Sequence, residues 1–176
     1  MLSIASVAQG EQGENQGEFT ANLEPLLGAG QDSGTMMWWR THPRAWRQAT
    51  KEQKSPALVM RGWSDWVRNR PGTPVFVSHP LTFDGVWVDW YLQRFANCRL
   101  FDRPRKPGLC CGGGIDLPSL IMAMTGWDYH RCNREHYFTE WLGGNEHNHC
   151  ALDDARGYAH LFSLVMSRRI LEYTRN

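Results

Sequence analysis

The order of secondary-structure signals along this chain constrains its fold more than any single residue does. A short apolar run at residues 2–8 is followed by a polar, Gly-rich stretch at 10–17 and a second run at 19–26, which predicts a β-hairpin. A Val-Phe-Val run at 74–78 then lies between two segments in which apolar residues recur at helical spacing. A hairpin followed by alternating helices and strands predicts a mixed α/β fold with a parallel section.

Capping residues and prolines predict where the helices begin and end. Asp32 or Ser33 is suited to cap the first helix, which Pro43 is expected to kink or divide. Further helices are expected at about residues 55–68, 83–95, 115–125 and 150–172, and a further strand at 98–101. The stripe expected to be buried on the helix at 83–95 consists of Val86, Trp87, Trp90, Tyr91 and Phe95.

Length and charge balance limit the class of protein. The 176 residues fit one domain with a sizeable core. With 19 Lys and Arg against 18 Asp and Glu, the chain lacks the basic excess of a protein held on nucleic acid by charge alone. That balance leaves open an enzyme that meets phosphate through bound metal ions. The 9 Trp residues are expected mainly in the core and between helices, because large aromatic side chains dominate core packing.

The five Cys residues predict a cytoplasmic protein. Their number is odd and their spacing is irregular, which disfavours a secreted disulfide framework. No apolar run approaches the roughly 18 residues that span a bilayer, so no membrane partner is expected. One alternative is a zinc-binding module, although the spacings match no usual zinc pattern. Its candidate ligands are Cys110, Cys111, His130, Cys132, His136, His147 and Cys150.

The segment from His149 to Asp154 is the most informative stretch for chemistry. It places an imidazole just before a predicted helix and a carboxylate in the first turn, at the positive end of the helix dipole. With a metal ion at Asp154, His149 could deprotonate a bound water molecule, as metal-assisted phosphodiester hydrolysis requires. The simpler alternative is that Asp153 and Asp154 only complement the helix dipole.

A second candidate, Asp84, follows the Val-Phe-Val strand through the turn at His79 and Pro80. In α/β sheets, ligands collect at the carboxyl ends of parallel strands, so Asp84 is expected near such a site. The alternative is that Asp84 is the N-cap of the helix that follows.

Three segments together resemble the DEDDh 3′–5′ exonucleases, the family that contains the DnaQ proofreading subunit, oligoribonuclease and RNase T. His149 to Asp154 resembles the third motif of the family. His79 to Asp84 resembles the second motif, in which a strand ends and a Phe-Asp pair opens a helix. Ile115 to Leu120 resembles the Asp-Leu-x-Ser-Leu segment between them. The segments occur in the family order, and the resemblance runs from about Leu2 to Met166.

The resemblance implies a single exonuclease domain at residues 1–176 with a ribonuclease H-like fold, a mixed sheet flanked by helices. It implies release of nucleoside monophosphates from the single-stranded 3′ end of RNA or DNA. Asp84 and Asp154 would bind Mg²⁺ or Mn²⁺ in a two-metal site, with Asp153 as a neighbour, and His149 would be the general base. Phe83 and His79 are candidates for substrate contact, with a core role as the alternative for Phe83. By analogy with family members, the protein could form a homodimer.

One motif of the family is missing. Its Asp-x-Glu motif belongs to a first strand at the centre of the sheet, and no such motif precedes the apolar run at residues 2–8. The sequence therefore suggests that Met1 is an internal start; a stop codon directly before it, with no Asp-x-Glu, would disprove this. Asp84 and Asp154 supply two negative charges against the four positive charges of two divalent ions. We therefore expect the second ion to bind weakly or not at all, and the chain to have little activity. The alternative is a catalytically inactive relative that binds nucleic acid or a protein partner.

Basic side chains accompany these motifs. Residues 103–114 are rich in Pro and Gly and predict a loop. Basic residues in and near this loop could guide phosphate to the site, or could form a solvated basic surface. They are Arg99, Arg103, Arg105, Lys106, Arg131 and Arg134.

Overall fold

The computed structural model describes residues 1–145 and 148–172. Within them the chain combines α-helices with two small β-sheets, which confirms the predicted mixed α/β class. The strands are β1 (Ser3–Gln9), β2 (Asn15–Asn22), β3 (Val77–Ser78) and β4 (Ile115–Asp116). The helices are α1 (Ser33–Thr41), α2 (Pro43–Ala49), α3 (Pro56–Arg68), α4 (Leu81–Phe95), α5 (Leu117–Thr125) and α6 (Ala151–Met166). Short 3₁₀ helices lie at Tyr129–Arg131, Arg134–His136, Thr139–Leu142 and Arg169–Glu172.

The first sheet is the predicted hairpin, although its second strand covers Asn15–Asn22 and not residues 19–26. The second sheet is parallel as expected, but β4 lies where the start of a helix was predicted. β1 and β2 pair antiparallel, with Ile4 opposite Ala21. β3 and β4 pair parallel, with Val77 opposite Ile115. In the described residues the two sheets are separate, so the strands do not form one continuous sheet there. Helix α6 packs against β1 and so connects the C-terminal part of the chain to the hairpin.

Helix boundaries follow the capping signals. Asp32 is the N-cap of α1 and accepts a hydrogen bond from the backbone N–H of Thr35 (2.7 Å). Pro43 opens α2 at a position where its missing N–H costs no hydrogen bond, so it divides α1 from α2 as expected. Among the described helices, none is long and apolar enough to cross a membrane.

The strand predicted at residues 98–101 is wrong: the structure has a loop there. The backbone carbonyls of Arg99 and Leu100 accept hydrogen bonds from the N–H groups of Leu109 and Cys110, each at 2.8 Å. These two bonds close the loop on itself but are too few to form a regular ladder.

Buried apolar side chains form two clusters. The first joins the hairpin with α3 and α4, and the second joins α5, α6 and the segment of 3₁₀ helices. Trp63 is buried in the first cluster and Trp141 in the second. The helices that carry Asp84 and Asp154 are therefore anchored in different cores.

The buried face of α4 differs from the predicted one. Its buried residues are Gly85, Val88, Tyr91 and Leu92, whereas Val86, Trp87 and Trp90 are 63%, 48% and 41% exposed. Of the predicted stripe, Tyr91 is buried and Phe95 packs against the first cluster. Gly85 faces inward because Phe101 occupies the space beside it; a Cβ at Gly85 would lie 3.0 Å from the Phe101 ring. Hydrophobicity alone could not predict this close approach, and the prediction for the other three residues is wrong.

Candidate metal and active site

Asp84 lies in the first turn of α4, near the positive end of the helix dipole. The helix begins at Leu81, earlier than predicted, and Pro80 occupies the N-cap position. The alternative in which Asp84 is itself the N-cap is therefore wrong. Asp116 instead accepts a hydrogen bond from the N–H of Leu81 (2.9 Å), and a second from the N–H of Ser119 (3.0 Å), where it caps α5. One carboxylate thus holds the starts of α4 and α5 together.

Asp154 lies in the first turn of α6 next to Asp153, but the two carboxylates have different surroundings. Asp153 accepts a hydrogen bond from the side-chain amide of Asn148 (2.7 Å) and lies 3.7 Å from a guanidinium nitrogen of Arg156. Arg156 also donates two hydrogen bonds to Glu18 on β2. Asp153 therefore attaches the start of α6 to the preceding loop and, through Arg156, to the hairpin.

Asp84 and Asp154 come from distant parts of the sequence but interact electrostatically in the folded chain. The pKa of Asp84 is raised to about 6, first because burial disfavours its charged form and then because Asp154 repels it. A carboxyl group with both causes acting on it is a candidate for a functional site. The charge of Asp154 therefore acts on Asp84, and these are the two residues that the motif resemblance implies as metal ligands.

Tyr158 lies one helical turn after Asp154 and is close to both carboxylates. Its pKa is raised to about 12, chiefly by burial and then by the charge of Asp154; Arg134 acts in the opposite direction, and Asp84 adds to the rise. Tyr158 and Arg134 line one small pocket with Leu142, Asn145, Asp153, Asp154 and Gly157. The site therefore places two acidic side chains and one cation around a partly buried phenol.

His79 packs beside this group. Its ring is stacked on Tyr158, with the ring centroids 4.6 Å apart and the planes within 3°. Its Nε2 lies 2.7 Å from the hydroxyl oxygen of Tyr137, whose ring stands edge-on to the imidazole. His79 therefore supports one side of Tyr158, and its contact with substrate stays a prediction.

His149 lies in the loop before α6 with a left-handed backbone conformation (φ 60°). Its ring meets Trp38 and His42 edge-on, at centroid distances of 4.7 and 4.5 Å. Trp38 and His42 are themselves stacked at 4.2 Å. The corner between α1 and α2 therefore covers one side of His149, a contact that the sequence motifs did not predict. The role of His149 as a general base stays a prediction.

Phe83 directly precedes Asp84 and is 64% exposed. The alternative in which it belongs to the core is therefore wrong, because the inward face of α4 is the one that carries Gly85 and Val88. Trp87, one turn further along α4, is also exposed. These aromatic side chains form accessible surface next to Asp84, and the role of Phe83 in substrate contact stays a prediction.

Among the residues that the structure describes, the cysteines and histidines that could form a zinc module do not gather into one. All five Cys are free thiols. Over residues 1–145 and 148–172, no three or more His, Cys, Asp and Glu side chains converge as metal ligands would. One of the candidate zinc ligands, His147, lies outside the described residues. In the same residues, no third His, Cys, Asp or Glu side chain joins Asp84 and Asp154 to form such a cluster.

A scan against protein-family models finds no match, and neither does a comparison with curated proteins. The likeness to the DEDDh exonucleases therefore rests on the three sequence segments at residues 79–84, 115–120 and 149–154. Membership of that family is accordingly a proposal.

Sequence reasoning missed Tyr158 as a contributor to the site and did not single out Arg134 among the basic residues. Tyr158 follows Asp154 by one helical turn, so the spacing did contain a signal that the two share a face of α6. Periodicity alone placed either Tyr158 or Ala159 on the apolar stripe of the helix predicted at residues 150–172. Arg134 lies in a 3₁₀ helix without regular patterning, so the sequence could name it only as one of several basic residues.

Proposed function

We propose that this chain belongs to a metal-dependent 3′–5′ exonuclease with a ribonuclease H-like fold that hydrolyses the terminal phosphodiester bond of single-stranded RNA or DNA. The observation that carries the proposal is the electrostatic interaction of Asp84 with Asp154. The two residues belong to separate motifs, and their helices are anchored in separate cores, yet the charge of Asp154 acts on the carboxyl group of Asp84. Two aspartates that only complement their own helix dipoles have no reason to converge, so the interaction supports the motif resemblance.

The pair suits Mg²⁺ or Mn²⁺ by its chemistry. Asp84 and Asp154 repel each other in a partly buried place, and a divalent cation would remove that repulsion. Carboxylate oxygens are the donors that these hard cations prefer. When bound, such an ion polarises the phosphate and lowers the pKa of a water molecule.

The side chains of the site would carry the remaining steps. His149 would accept a proton from the attacking water, whose oxygen bonds to phosphorus as the bond from phosphorus to the 3′ oxygen of the preceding nucleotide breaks. The departing 3′ oxygen takes up a proton, and the product is a nucleoside 5′-monophosphate. Phe83 is exposed beside Asp84 and would stack on the terminal base. His79, stacked on Tyr158, would line the same nucleotide site.

The number of carboxylates at the site limits how many metal ions this chain is expected to bind. In the proposed fold, a strand carrying Asp-x-Glu would lie between β1 and β3 and join the two sheets. The described residues contain no such strand, and Asp84 with Asp154 balances the charge of one divalent ion. We therefore expect the chain to bind one Mn²⁺ and to hydrolyse nucleic acid slowly or not at all.

A cytoplasmic location and a homodimer are further parts of the proposal. The five free thiols support the location, because thiols persist in a reducing compartment. The homodimer rests on analogy with the family alone.

A catalytically inactive nucleic-acid-binding relative is the second candidate. It is favoured by the absence, among the described residues, of a third metal ligand beside Asp84 and Asp154. The exposed aromatic side chains Phe83, Trp87 and Trp90 would still bind bases by stacking. This candidate predicts that the chain binds a single-stranded oligonucleotide without releasing mononucleotides in Mn²⁺.

The test combines Mn²⁺ binding by calorimetry with release of mononucleotides from end-labelled single-stranded RNA and DNA. Asp84→Asn and Asp154→Asn are compared with Asp65→Asn, which removes an exposed carboxylate that pairs with Arg68 on α3. We expect one Mn²⁺ per wild-type chain, loss of binding in the first two variants and retention in the third. Any nuclease activity should follow the same pattern. Unchanged Mn²⁺ binding by Asp84→Asn and Asp154→Asn would contradict the proposed site.

A further inference from the structure

Arg134 is a cation in an unusual setting. It opens the short 3₁₀ helix Arg134–His136 and its side chain is half-buried. Its Nε atom is buried and has no hydrogen-bond partner in the described parts of the chain. Buried guanidinium donors normally have partners, because an unsatisfied charged donor is costly. The setting of Arg134 therefore calls for an acceptor.

The position of Arg134 shows where that acceptor would lie. Arg134 lines the same small pocket as Asp154, Gly157 and Tyr158. Its positive charge acts on Tyr158, the residue on which the charges of Asp84 and Asp154 also act. Arg134 and Asp154 therefore line one pocket, and the charge of Asp84 acts on Tyr158 in the same pocket.

The neighbouring Asp153 does not account for Arg134. Although it lines the pocket, its carboxylate accepts a hydrogen bond from Asn148 (2.7 Å) and lies 3.7 Å from Arg156. The cation needed near Asp153 is thus already supplied by Arg156. Arg134 is the guanidinium that lines the pocket, and its buried Nε has no hydrogen-bond partner among the described residues.

We propose that Arg134 binds the phosphate of the 3′-terminal nucleotide, the phosphate that stays on the released mononucleotide. This inference rests on the proposed function and deepens it by naming a residue for substrate binding. Two carboxylates alone repel a phosphate, and a guanidinium beside them offsets that repulsion. Its planar fork can donate two parallel hydrogen bonds to non-bridging phosphate oxygens, which an ammonium group cannot do.

The experiment measures binding of AMP and of adenosine by calorimetry with Mg²⁺ present, so that the phosphate is the only difference between the two probes. Wild type is compared with Arg134→Gln and Arg134→Lys. Arg61→Gln is the matched control, since it removes an exposed guanidinium whose Nε bonds to its own helix at Ala57 (3.0 Å). Thermal unfolding of each variant establishes that it is folded. If Arg134→Gln does not fold, Arg134→Lys, which keeps the positive charge but loses the planar fork, provides the comparison with wild type.

We expect wild type to bind AMP more tightly than adenosine. Arg134→Gln should weaken AMP binding by about 10- to 100-fold, the loss expected for a charge-assisted contact, and leave adenosine binding unchanged. Arg134→Lys should show a smaller loss, and Arg61→Gln none. Equal binding of AMP by wild type and Arg134→Gln, or equal binding of AMP and adenosine by wild type, would overturn the inference.

These outcomes separate the inference from the proposed function. Weaker AMP binding by Arg134→Gln, together with unchanged Mg²⁺ binding by Asp84→Asn and Asp154→Asn, would support the phosphate site and refute the metal site. Release of mononucleotides that depends on Asp84 and Asp154, with the Michaelis constant unchanged by Arg134→Gln, would support the exonuclease and refute the role of Arg134.

Discussion

Asp84 in α4 and Asp154 in α6 repel each other although their helices are anchored in different cores, and this repulsion adds to burial in raising the pKa of Asp84 to about 6. Without a cation, such a pair lowers the stability of the fold. Packing of α4 and α6 in their separate cores holds the two carboxylates in place despite the repulsion. Stability and metal binding are therefore expected to depend on the same two side chains, as at functional sites of other proteins.

Asp84→Asn removes one of the two charges and keeps the shape of the side chain. We expect the metal-free variant to be more stable than wild type at neutral pH by roughly 1–3 kcal/mol, because the ionised, partly buried Asp84 is destabilising. Mn²⁺ should raise the Tm of wild type by binding the native state, but should not raise that of the variant. Thermal unfolding with and without Mn²⁺ measures both effects. Equal Mn²⁺-induced shifts in the two proteins would show that Asp84 is not a ligand.

The raised pKa of Asp84 predicts how stability depends on pH. Its folded-state pKa of about 6 lies above its ordinary value of 3.8, so the folded chain holds this proton more tightly than the unfolded chain. The resulting contribution to stability is fully present below about pH 4 and is lost as the pH rises through 6. Because the carboxyl is only partly screened from solvent, we expect a loss of roughly 1–3 kcal/mol across this window. Denaturant unfolding of wild type and Asp84→Asn at several pH values measures it, and parallel profiles would contradict the assignment.

Metal binding should show the opposite dependence on pH. A cation binds the carboxylate form, so it competes with the proton on Asp84. We expect Mn²⁺ affinity to rise about tenfold per pH unit below 6 and to level off above it. Calorimetric titration at several pH values measures this, and the affinity would be flat through pH 6 if Asp84 took no part.

Phe83→Ala tests the exposed aromatic surface beside Asp84. Since Phe83 is 64% exposed, we expect the free energy of unfolding to change by no more than about 0.5 kcal/mol. Loss of stacking on the terminal base should weaken binding of a single-stranded oligonucleotide by about 5- to 100-fold. Fluorescence anisotropy measures the affinity, with Phe83→Trp expected to retain it. Leu58→Ala, at an exposed apolar position on α3, is the control; equal losses in Leu58→Ala and Phe83→Ala would point to a nonspecific effect.

Trp38→Ala tests the cover over His149. Removing the indole should cost about 0.5–1.5 kcal/mol in stability and shift the ring-proton resonances of His149, because the Trp38 ring lies 4.7 Å away. Misplacing a general base should lower any turnover by up to about 10²-fold while leaving Mn²⁺ binding unchanged. Trp90→Ala removes a Trp of similar exposure on α4 and should leave the His149 resonances in place. An unshifted His149 in Trp38→Ala would disprove the contact.

Gly143→Ala tests how the segment before α6 is packed. Gly143 follows the 3₁₀ helix Thr139–Leu142 in a left-handed conformation (φ 61°), and a Cβ there would lie 2.9 Å from the ring of His160. We expect a loss of about 2–3 kcal/mol, since both the backbone penalty and displacement of His160 contribute. Gly144→Ala is the matched control: its φ of 75° carries the same penalty, but no atom lies within 4 Å of its Cβ. A denaturant midpoint equal in the two variants would show that the contact with His160 has no energetic effect.

Local signals predicted much of the secondary structure. Asp32 caps α1 and Pro43 opens α2 because capping and proline geometry act over a few residues. The inward face of α4 could not be predicted in the same way. It depends on the ring of Phe101 lying against Gly85, a contact between segments whose approach no local pattern encodes.

In the candidate site, too, some features could be predicted from local sequence and others depend on long-range contacts. Motif spacing was enough to single out Asp84 and Asp154, and it left the setting of Phe83 undecided between core and surface. The exposure of Phe83 follows from the way α4 is turned against the first core. The cover of Trp38 and His42 over His149 depends on where the corner between α1 and α2 lies, which is again a long-range contact.

The sequence by itself determined the α/β class, the hairpin and the candidacy of Asp84 and Asp154, because periodicity, caps and motifs are properties of short segments. It did not determine the parallel pair, whose second strand lies at Ile115–Asp116 and not at residues 98–101. Only the tertiary structure decided that the charge of Asp154 acts on Asp84, and that these two charges and that of Arg134 act on Tyr158. These interactions depend on the packing of α4 and α6 in different cores, and the free energy of that packing comes from residues remote from the site.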